Sequence, residues 1–214
     1  MLDIFKRPVV VIIIVVAIVI ALVWSYVSNS IKDKASVSQD PVTTQLLDLT
    51  TIDPTEYDDA IKREFAAAKS KAEASDINNK LSAIEITLPS LELNSGDTRY
   101  VFSSATNTQI NWTITYNQKT GNMLRASIPK EDYLGNILAM DTSLWKFNYV
   151  TAIQIAEKND GLKWREQNGL SNVDITLKHG GKDNWLLWTV RYTSGGATFT
   201  KMIDSNSGKV VAEN

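Results

Sequence analysis

Few residues in this sequence could carry out chemistry. The chain of 214 residues has no Cys and a single His, His179, which lies in Lys178-His179-Gly180-Gly181. A catalytic His needs a nucleophile and an orienting carboxylate, and no Gly-x-Ser-x-Gly motif supplies the nucleophile. A metal centre built from several His or Cys ligands is excluded by composition. We therefore predict no catalytic residues, no metal site and no cofactor, and we expect His179 to be an exposed loop residue.

The run Asp204-Ser205-Asn206-Ser207-Gly208 spaces its oxygen atoms somewhat like a calcium loop. An EF-hand needs Gly at its sixth position, whereas Gly is fifth here. A turn explains the same residues, because Asp204 can accept a backbone hydrogen bond and Gly208 can adopt a positive φ. Asn117 and Gly121 repeat this spacing 87 residues earlier. We therefore assign Asn117, Gly121, Asp204 and Gly208 as structural turn residues.

Aromatic side chains offer a second kind of site. Aromatic residues at strand and helix-face spacing are typical of a hydrophobic core, which is the favoured interpretation for most of the tryptophans. Trp164 differs because it lies in the charged segment Leu162-Lys163-Trp164-Arg165-Glu166. We predict that Trp164 and Arg165 contact a partner. A stacking platform is the alternative, formed by Trp112, Trp145, Trp164, Trp185 and Trp188.

The net charge is close to zero, with 22 basic and 24 acidic residues. Proteins that bind nucleic acids normally concentrate basic residues on one face. We therefore predict no nucleic-acid partner.

A long apolar run lies near the amino terminus. Residues 9–27 carry no charge, and 14 of these 19 positions are Val, Ile or Leu. A helix of this length is roughly 28 Å long, about the thickness of a bilayer's hydrocarbon core. Because Lys6 and Arg7 precede the run, we predict a single-pass anchor in the cell membrane, with residues 1–8 cytoplasmic and the carboxy-terminal part extracytoplasmic. A cleaved signal peptide is the alternative.

Two helices follow a polar extracytoplasmic linker, residues 28–52. Asp53-Pro54-Thr55-Glu56 is typical of a helix start, and this first helix should run to about Ser75. The second should begin at Asp141 or Ser143 and end at Gly161. Each helix has one apolar face, made by Tyr57, Ile61, Phe65 and Ala68 in the first and by Trp145, Tyr149, Ile153 and Ala156 in the second.

Each predicted helix is followed by a set of predicted strands. The helix faces match at an offset of 88 residues, and the turns match at 87. We therefore predict an α+β fold in which the transmembrane helix is followed by two tandem modules, residues 53–130 and 141–214. Each module would be one helix packed on an antiparallel sheet of about four strands. The strands are expected at 84–88, 99–103, 110–116, 123–128, 173–177, 185–192, 199–203 and 210–211.

Three pieces of the second half resemble the PepSY-domain family. They are Ala152 to Lys158 with Gly161 after it, Trp188-Thr189-Val190, and Ile203 to Val211. The first half matches less well, with Asn117 in place of the Asp and Asn122 in place of the Lys after the Gly. The resemblance implies a non-catalytic module, with no shared catalytic residues, that binds or restrains a partner such as a peptidase or cell-wall enzyme.

These features together predict a membrane-anchored, extracytoplasmic, non-enzymatic protein that binds or regulates a protein partner. The resemblance adds that the partner is a peptidase or another cell-envelope enzyme. The alternative is a structural subunit of a cell-envelope or secretion assembly, and an enzyme ranks third. The predicted partners are thus the membrane, through residues 9–27, and a protein that the sequence does not identify.

Overall fold

The structure, a computed structural model, describes residues 48–104, 106–133, 137–169, 172–180 and 185–211. Among these residues, no helix is both long enough and apolar enough to span a membrane. The predicted cytoplasmic segment, the predicted anchor and the linker as far as residue 47 lie outside the described part of the chain. The last linker residues belong to the fold, because Leu49 is fully buried and its carbonyl accepts a hydrogen bond from the Gln154 side chain at 2.8 Å.

The first half of the fold is one long helix followed by four strands. Asp53 caps a short 3-10 helix, Pro54–Tyr57, by accepting a hydrogen bond from the Thr55 N–H at 2.9 Å, and the α-helix continues directly from it. The predicted helix start is therefore present, although its first turn is tighter than an α-helix. The elements are α1 (Asp58–Glu73), β1 (Lys80–Pro89), β2 (Asp97–Ser103), β3 (Ile110–Asn117) and β4 (Met123–Pro129).

The second half departs from the predicted helix bounds. Asp141 caps only a 3-10 turn, Thr142–Leu144, and the α-helix begins after Asn148, whose side chain accepts a hydrogen bond from the Thr151 N–H at 3.1 Å. Gly161 does not end it, because the chain passes through an irregular turn into a further helix that ends before Gly169. The elements are α2 (Tyr149–Ala156), the turn Glu157–Gly161, α3 (Leu162–Asn168), β5 (Asn172–His179), β6 (Leu186–Ser194), β7 (Ala197–Asp204) and β8 (Val210–Val211).

All eight strands form one antiparallel sheet, in the order β4-β3-β2-β1-β5-β6-β7-β8. The prediction of two tandem modules with separate four-stranded sheets is therefore wrong, and the described residues form a single compact unit. The physical reason lies at the centre of the sheet, where β1 pairs with β5 from Ala83↔Lys178 to Pro89↔Asn172. Two separate sheets would have left both strands as edges with unpaired backbone groups. Pairing them satisfies those groups and joins the two halves through one core.

The core lies between one face of the sheet and the helices. Ile84, Ile175 and Trp188 are among its most buried side chains. Trp164 of α3 packs near Tyr192, with ring centroids 6.3 Å apart. Gly161 permits the irregular turn to lie close to both α2 and the sheet, because a Cβ there would lie 2.7 Å from the Ala156 carbonyl oxygen and 3.1 Å from Cε2 of Tyr192 on β6. Of the described tryptophans, Trp188 is fully in the core, Trp112, Trp145 and Trp164 pack against it, and Trp185 is 48% exposed.

Candidate functional site

The two faces of the sheet differ in what covers them. Successive residues of a strand point to opposite faces, so each strand contributes alternate side chains to the core and to the other side. We call that other side the open face. It is largely polar, and one row of it crosses five neighbouring strands as Thr115, Arg99, Glu85, Thr176 and Thr189.

A cleft of about 380 Å³ lies on the open face above β1, β2 and β5. Its floor is formed by strand residues, including Glu85, Arg99 and Lys178, and its wall by residues that follow β4, including Asp132 and Tyr133. The chain leaves the cleft at Met140, whose N–H donates to the Leu81 carbonyl at 2.8 Å. This bond fixes the end of the connection beside β1, and Ile137 and Leu138, which come just before it, line the cleft.

Glu85 is held from two sides at the centre of the cleft floor. Arg99, its direct partner across the β1–β2 ladder, donates from Nε to Glu85 Oε2 at 2.6 Å and also from Nη2. The Tyr133 hydroxyl donates to Glu85 Oε1 from the wall of the cleft. A carboxylate that accepts three hydrogen bonds on defined atoms has little freedom to reorient. This cluster therefore fixes the wall of the cleft to its floor.

The other charged groups of the cleft are not neutralised in this way. Lys178 lies on β5 opposite Ala83, and Asp132 ends the 3-10 turn Lys130–Asp132 in the wall. Within the described residues, neither side chain makes a hydrogen bond or an ion pair.

His179 also lines the cleft. It is the half-buried last residue of β5, which corrects its predicted place in an exposed loop.

One edge of the sheet, the outer side of β4, is a second candidate site. β8 has two residues, whereas β4 has seven, and no strand of the described chain pairs with its outer side. The Asn117 N–H donates to the Asn122 carbonyl at the β3–β4 turn, and backbone groups alternate in direction along an antiparallel strand. The backbone groups of Arg125 and Ser127 consequently face outward, where they are available to another strand.

Glu64 is a half-buried carboxylate on the covered side of the sheet. It lies between α1 and the sheet and accepts a hydrogen bond from the Tyr100 hydroxyl at 2.9 Å. Burial raises the pKa of Glu64 to about 7, although the hydrogen bonds from Tyr100 and Thr98 act in the opposite direction. The adjoining cavity measures about 10 Å³, roughly the space of one water molecule. Its size makes Glu64 a structural group rather than a ligand site.

The two residues predicted to contact a partner, Trp164 and Arg165, have different environments in the structure. Arg165 is 3% exposed and donates to Glu157 from Nε at 3.1 and 3.0 Å and from Nη2. A partner could not reach this guanidinium, so the prediction is corrected for Arg165. Trp164 is half-buried against Tyr192 and Phe199, and its contact with a partner stays a prediction. The sequence segment that looked like a charged linker is the helix α3.

The four predicted turn residues occupy two turns of the same design. Gly121 and Gly208 have φ of +72° and +71°, and their N–H groups donate to the carbonyls of Asn117 and Asp204, each at 2.8 Å. Asp204 Oδ1 accepts the Asn206 N–H at 2.8 Å, and Asn117 Oδ1 accepts the Thr120 N–H at 2.8 Å. Every polar atom named here is used within its own turn.

The residues of the cleft were missed in the sequence because they belong to separate elements. The alternation Ile84-Glu85-Ile86 does place Glu85 on the less buried face of a strand. Its pairing with Arg99 depends on the register of β1 against β2, and its contact with Tyr133 depends on the path of the connection. The sequence pattern therefore predicts which face of the strand Glu85 occupies, but it does not predict its contacts with Arg99 and Tyr133.

No protein-family model and no curated protein matches this chain. A similar chain among the solved structures is described as a "putative lipoprotein" from Clostridium difficile 630. It is 17% identical, with a TM-score of 0.48, and the match covers 77% of this chain and 95% of that chain. A similarity of this degree does not place the chain in a family.

Proposed function

We propose that this protein is a membrane-anchored, extracytoplasmic and non-enzymatic binding protein that captures an extended segment of a protein partner along β4. The observation that carries this proposal is the unpaired outer side of β4 within the described chain. The anchor, residues 9–27, and the extracytoplasmic location come from the sequence. The PepSY resemblance favours a peptidase or another cell-envelope enzyme as the partner.

The outer side of β4 offers both the affinity and the selectivity that strand addition needs. The outward N–H and C=O groups of Arg125 and Ser127 can pair with an extended peptide, and each net hydrogen bond contributes about 0.5–1.5 kcal/mol. Selectivity would come from the side chains that flank the new strand. On the open face these are Leu124, Ala126 and Ile128, and Leu124 is 70% exposed. The expected partner segment therefore alternates apolar and polar residues.

A binding role also fits the way the edges are protected. Exposed edge strands are usually short, carry inward-pointing charges or are covered, because an open edge pairs with other chains. β8 follows this rule with its two residues. β4 has one charged residue, Arg125, whose guanidinium lies over the Trp112 ring at 5.3 Å and donates to the Ser75 hydroxyl at 2.5 Å. Lys71 of α1 donates to the Met123 carbonyl at 3.3 Å, at the start of the strand, whereas no side chain of the described residues bonds the outward backbone groups of Arg125 and Ser127.

Site-specific crosslinking in the cells that make the protein tests this function. The photoreactive residue p-benzoylphenylalanine would replace Leu124 on β4 or, as a control, Val210, the exposed apolar residue on the opposite edge strand. We expect an adduct with a distinct protein from position 124 and none from position 210. No adduct at position 124, or the same adduct at both positions, would argue against binding along β4.

A backbone variant then separates strand addition from ordinary side-chain contact. Ser127→Pro removes an outward N–H without removing a ladder bond to β3, so the fold should tolerate it. It should abolish the adduct at position 124, whereas Ser127→Val, which keeps the N–H, should preserve it. An adduct that survives Ser127→Pro would exclude strand addition. Recovery of the protein only within a large stoichiometric complex would favour a structural subunit.

A further inference from the structure

The cleft on the open face combines features that, apart from Ile128, the strand-addition site does not use. It has a polar floor, an apolar part of the wall and two charged side chains of opposite sign that lack partners within the described chain. Its volume of about 380 Å³ lies at the lower end of the range typical of small-molecule sites.

The floor of the cleft places a cation beside a fixed, neutralised pair. Glu85 lies between Arg99 on β2 and Thr176 on β5, and Lys178 is two residues further along β5. Such diagonal neighbours on adjacent strands are roughly 7–8 Å apart. Because Arg99 and the Tyr133 hydroxyl already hold both oxygens of Glu85, this carboxylate does not neutralise Lys178. Lys178 is therefore available to an anionic group in the cleft.

The wall supplies the opposite charge and the apolar contacts. Asp132 precedes Tyr133, whose hydroxyl reaches Glu85, so the bond from Tyr133 keeps the Asp132 backbone over the floor. Ile128 at the end of β4, together with Ile137 and Leu138 on the returning connection, lines the same cleft with apolar surface. The site therefore presents an anion, a cation and an apolar surface around one cavity.

We infer that this cleft binds a small zwitterionic ligand with an apolar body, an amino acid or a short peptide with free amino and carboxyl groups. The carboxylate pairs with the Lys178 ammonium, the amino group with the Asp132 carboxylate, and the apolar side chain with Ile128, Ile137 and Leu138. A ligand of one charge would satisfy one of the two side chains and leave the other unpaired. Thr176 and the Arg99–Glu85 pair provide hydrogen-bonding groups between the two ends.

Four related compounds test the charge pattern by isothermal titration calorimetry on the full-length protein in detergent micelles. L-leucine carries both charges, N-acetyl-leucine only the carboxylate, leucinamide only the amine, and N-acetyl-leucinamide neither. We expect leucine to bind most tightly and N-acetyl-leucinamide most weakly, with a loss of about tenfold or more for each charge removed. Leucyl-leucine, compared with leucine, shows whether the cleft holds a peptide or a single residue.

Two variants assign each charge to its side chain. Lys178→Gln should weaken leucine and N-acetyl-leucine by about tenfold and leave leucinamide unchanged, whereas Asp132→Asn should weaken leucine and leucinamide and leave N-acetyl-leucine unchanged. Lys163→Gln and Asp59→Asn remove exposed charges on α3 and α1 and serve as matched controls. No binding of leucine or leucyl-leucine at millimolar concentrations would overturn the inference. Equal binding of the four leucine compounds, or equal effects of the two cleft variants on all of them, would overturn it too.

Discussion

Two Arg–Glu pairs in this protein have the same chemistry and different surroundings. Arg165 and Glu157 are 3% and 1% exposed and connect α3 to the irregular turn that follows α2. Arg99 and Glu85 are 45% and 23% exposed and lie on the open face of the sheet. In both pairs the guanidinium donates from Nε and Nη2 to the carboxylate. Access to water is the main difference between them.

This difference in exposure gives the buried pair a structural role and the exposed pair a role in recognition. Removing one partner of a buried pair leaves an uncompensated charge in a medium of low dielectric constant, which costs far more than the pair contributes. An exposed pair is screened by water and adds little to stability. The role of the exposed Arg99–Glu85 pair on the open face is to hold its two side chains in one orientation beside Lys178 and Thr176. The buried pair maintains the bend between α2 and α3, and the exposed pair shapes the cleft.

The largest expected effect comes from breaking the buried pair. Arg165→Met should lower the free energy of unfolding by about 3–5 kcal/mol, because it leaves the Glu157 carboxylate buried without its cation. Urea unfolding of the full-length protein in detergent micelles, followed by tryptophan fluorescence, measures this loss. A loss below about 1 kcal/mol would mean that water reaches Glu157 and that the contrast between the two pairs is false.

Glu64 extends the comparison to a half-buried carboxylate that has no cation beside it among the described residues. Burial raises the pKa of Glu64 from its ordinary value to about 7. The folded state therefore holds this proton more tightly than the unfolded state, so the stabilising contribution is complete below the unfolded pKa of 4.5 and is lost as the pH rises through about 7. Stability should fall by roughly 3 kcal/mol across this window.

Urea unfolding between pH 4 and pH 8 tests the role of Glu64. Glu64→Gln should remove most of the decline, because the amide cannot ionise. Glu56→Gln, which changes an exposed carboxylate just before α1, is the matched control and should leave the decline in place. A decline that persists in Glu64→Gln would assign the pH dependence to another group.

Replacing both members of the buried pair should cost less than replacing one. In Glu157→Leu/Arg165→Met no charge remains to be buried, so the double variant should recover at least about 2 kcal/mol of the loss caused by Arg165→Met. The same urea titration completes the double-mutant cycle. If the losses of the two single variants simply added in the double variant, the side chains would not be energetically coupled. That result would contradict the coupling expected from their hydrogen bonds.

Local elements of this fold could be predicted from the sequence because their signals are local. Alternation in Ile84-Glu85-Ile86-Thr87-Leu88 predicts a strand, and β1 includes it within Lys80–Pro89. The start of the second helix was missed because Asn148 caps it, while Asp141, an equally good cap in the sequence, closes only one 3-10 turn. Local pattern does not decide between two such candidates.

Contacts between distant segments could not be predicted in the same way. Alternation fixes which face a side chain occupies, but not which strand lies beside it, so the pairing of β1 with β5 had no signal. Arg165 looked exposed because its partner Glu157 is eight residues away across a bend, outside the three- and four-residue spacings at which helical side chains usually pair. The cleft could not be predicted either, because it depends on the register of neighbouring strands and on the path of the connection that follows β4.

The smallest expected effect on stability comes from breaking the exposed pair. Arg99→Met should lower the free energy of unfolding by less than about 1 kcal/mol, because Glu85 keeps the Tyr133 hydroxyl and gains water. The same variant should weaken leucine binding in the cleft, since the freed Glu85 carboxylate can compete with the ligand for the Lys178 ammonium. Arg99→Met and Arg165→Met thus form a matched pair of variants, measured by unfolding and by calorimetry. A large loss of stability in Arg99→Met with unchanged binding would reverse the roles assigned to the two pairs, because the exposed pair would then act on the fold and not on recognition.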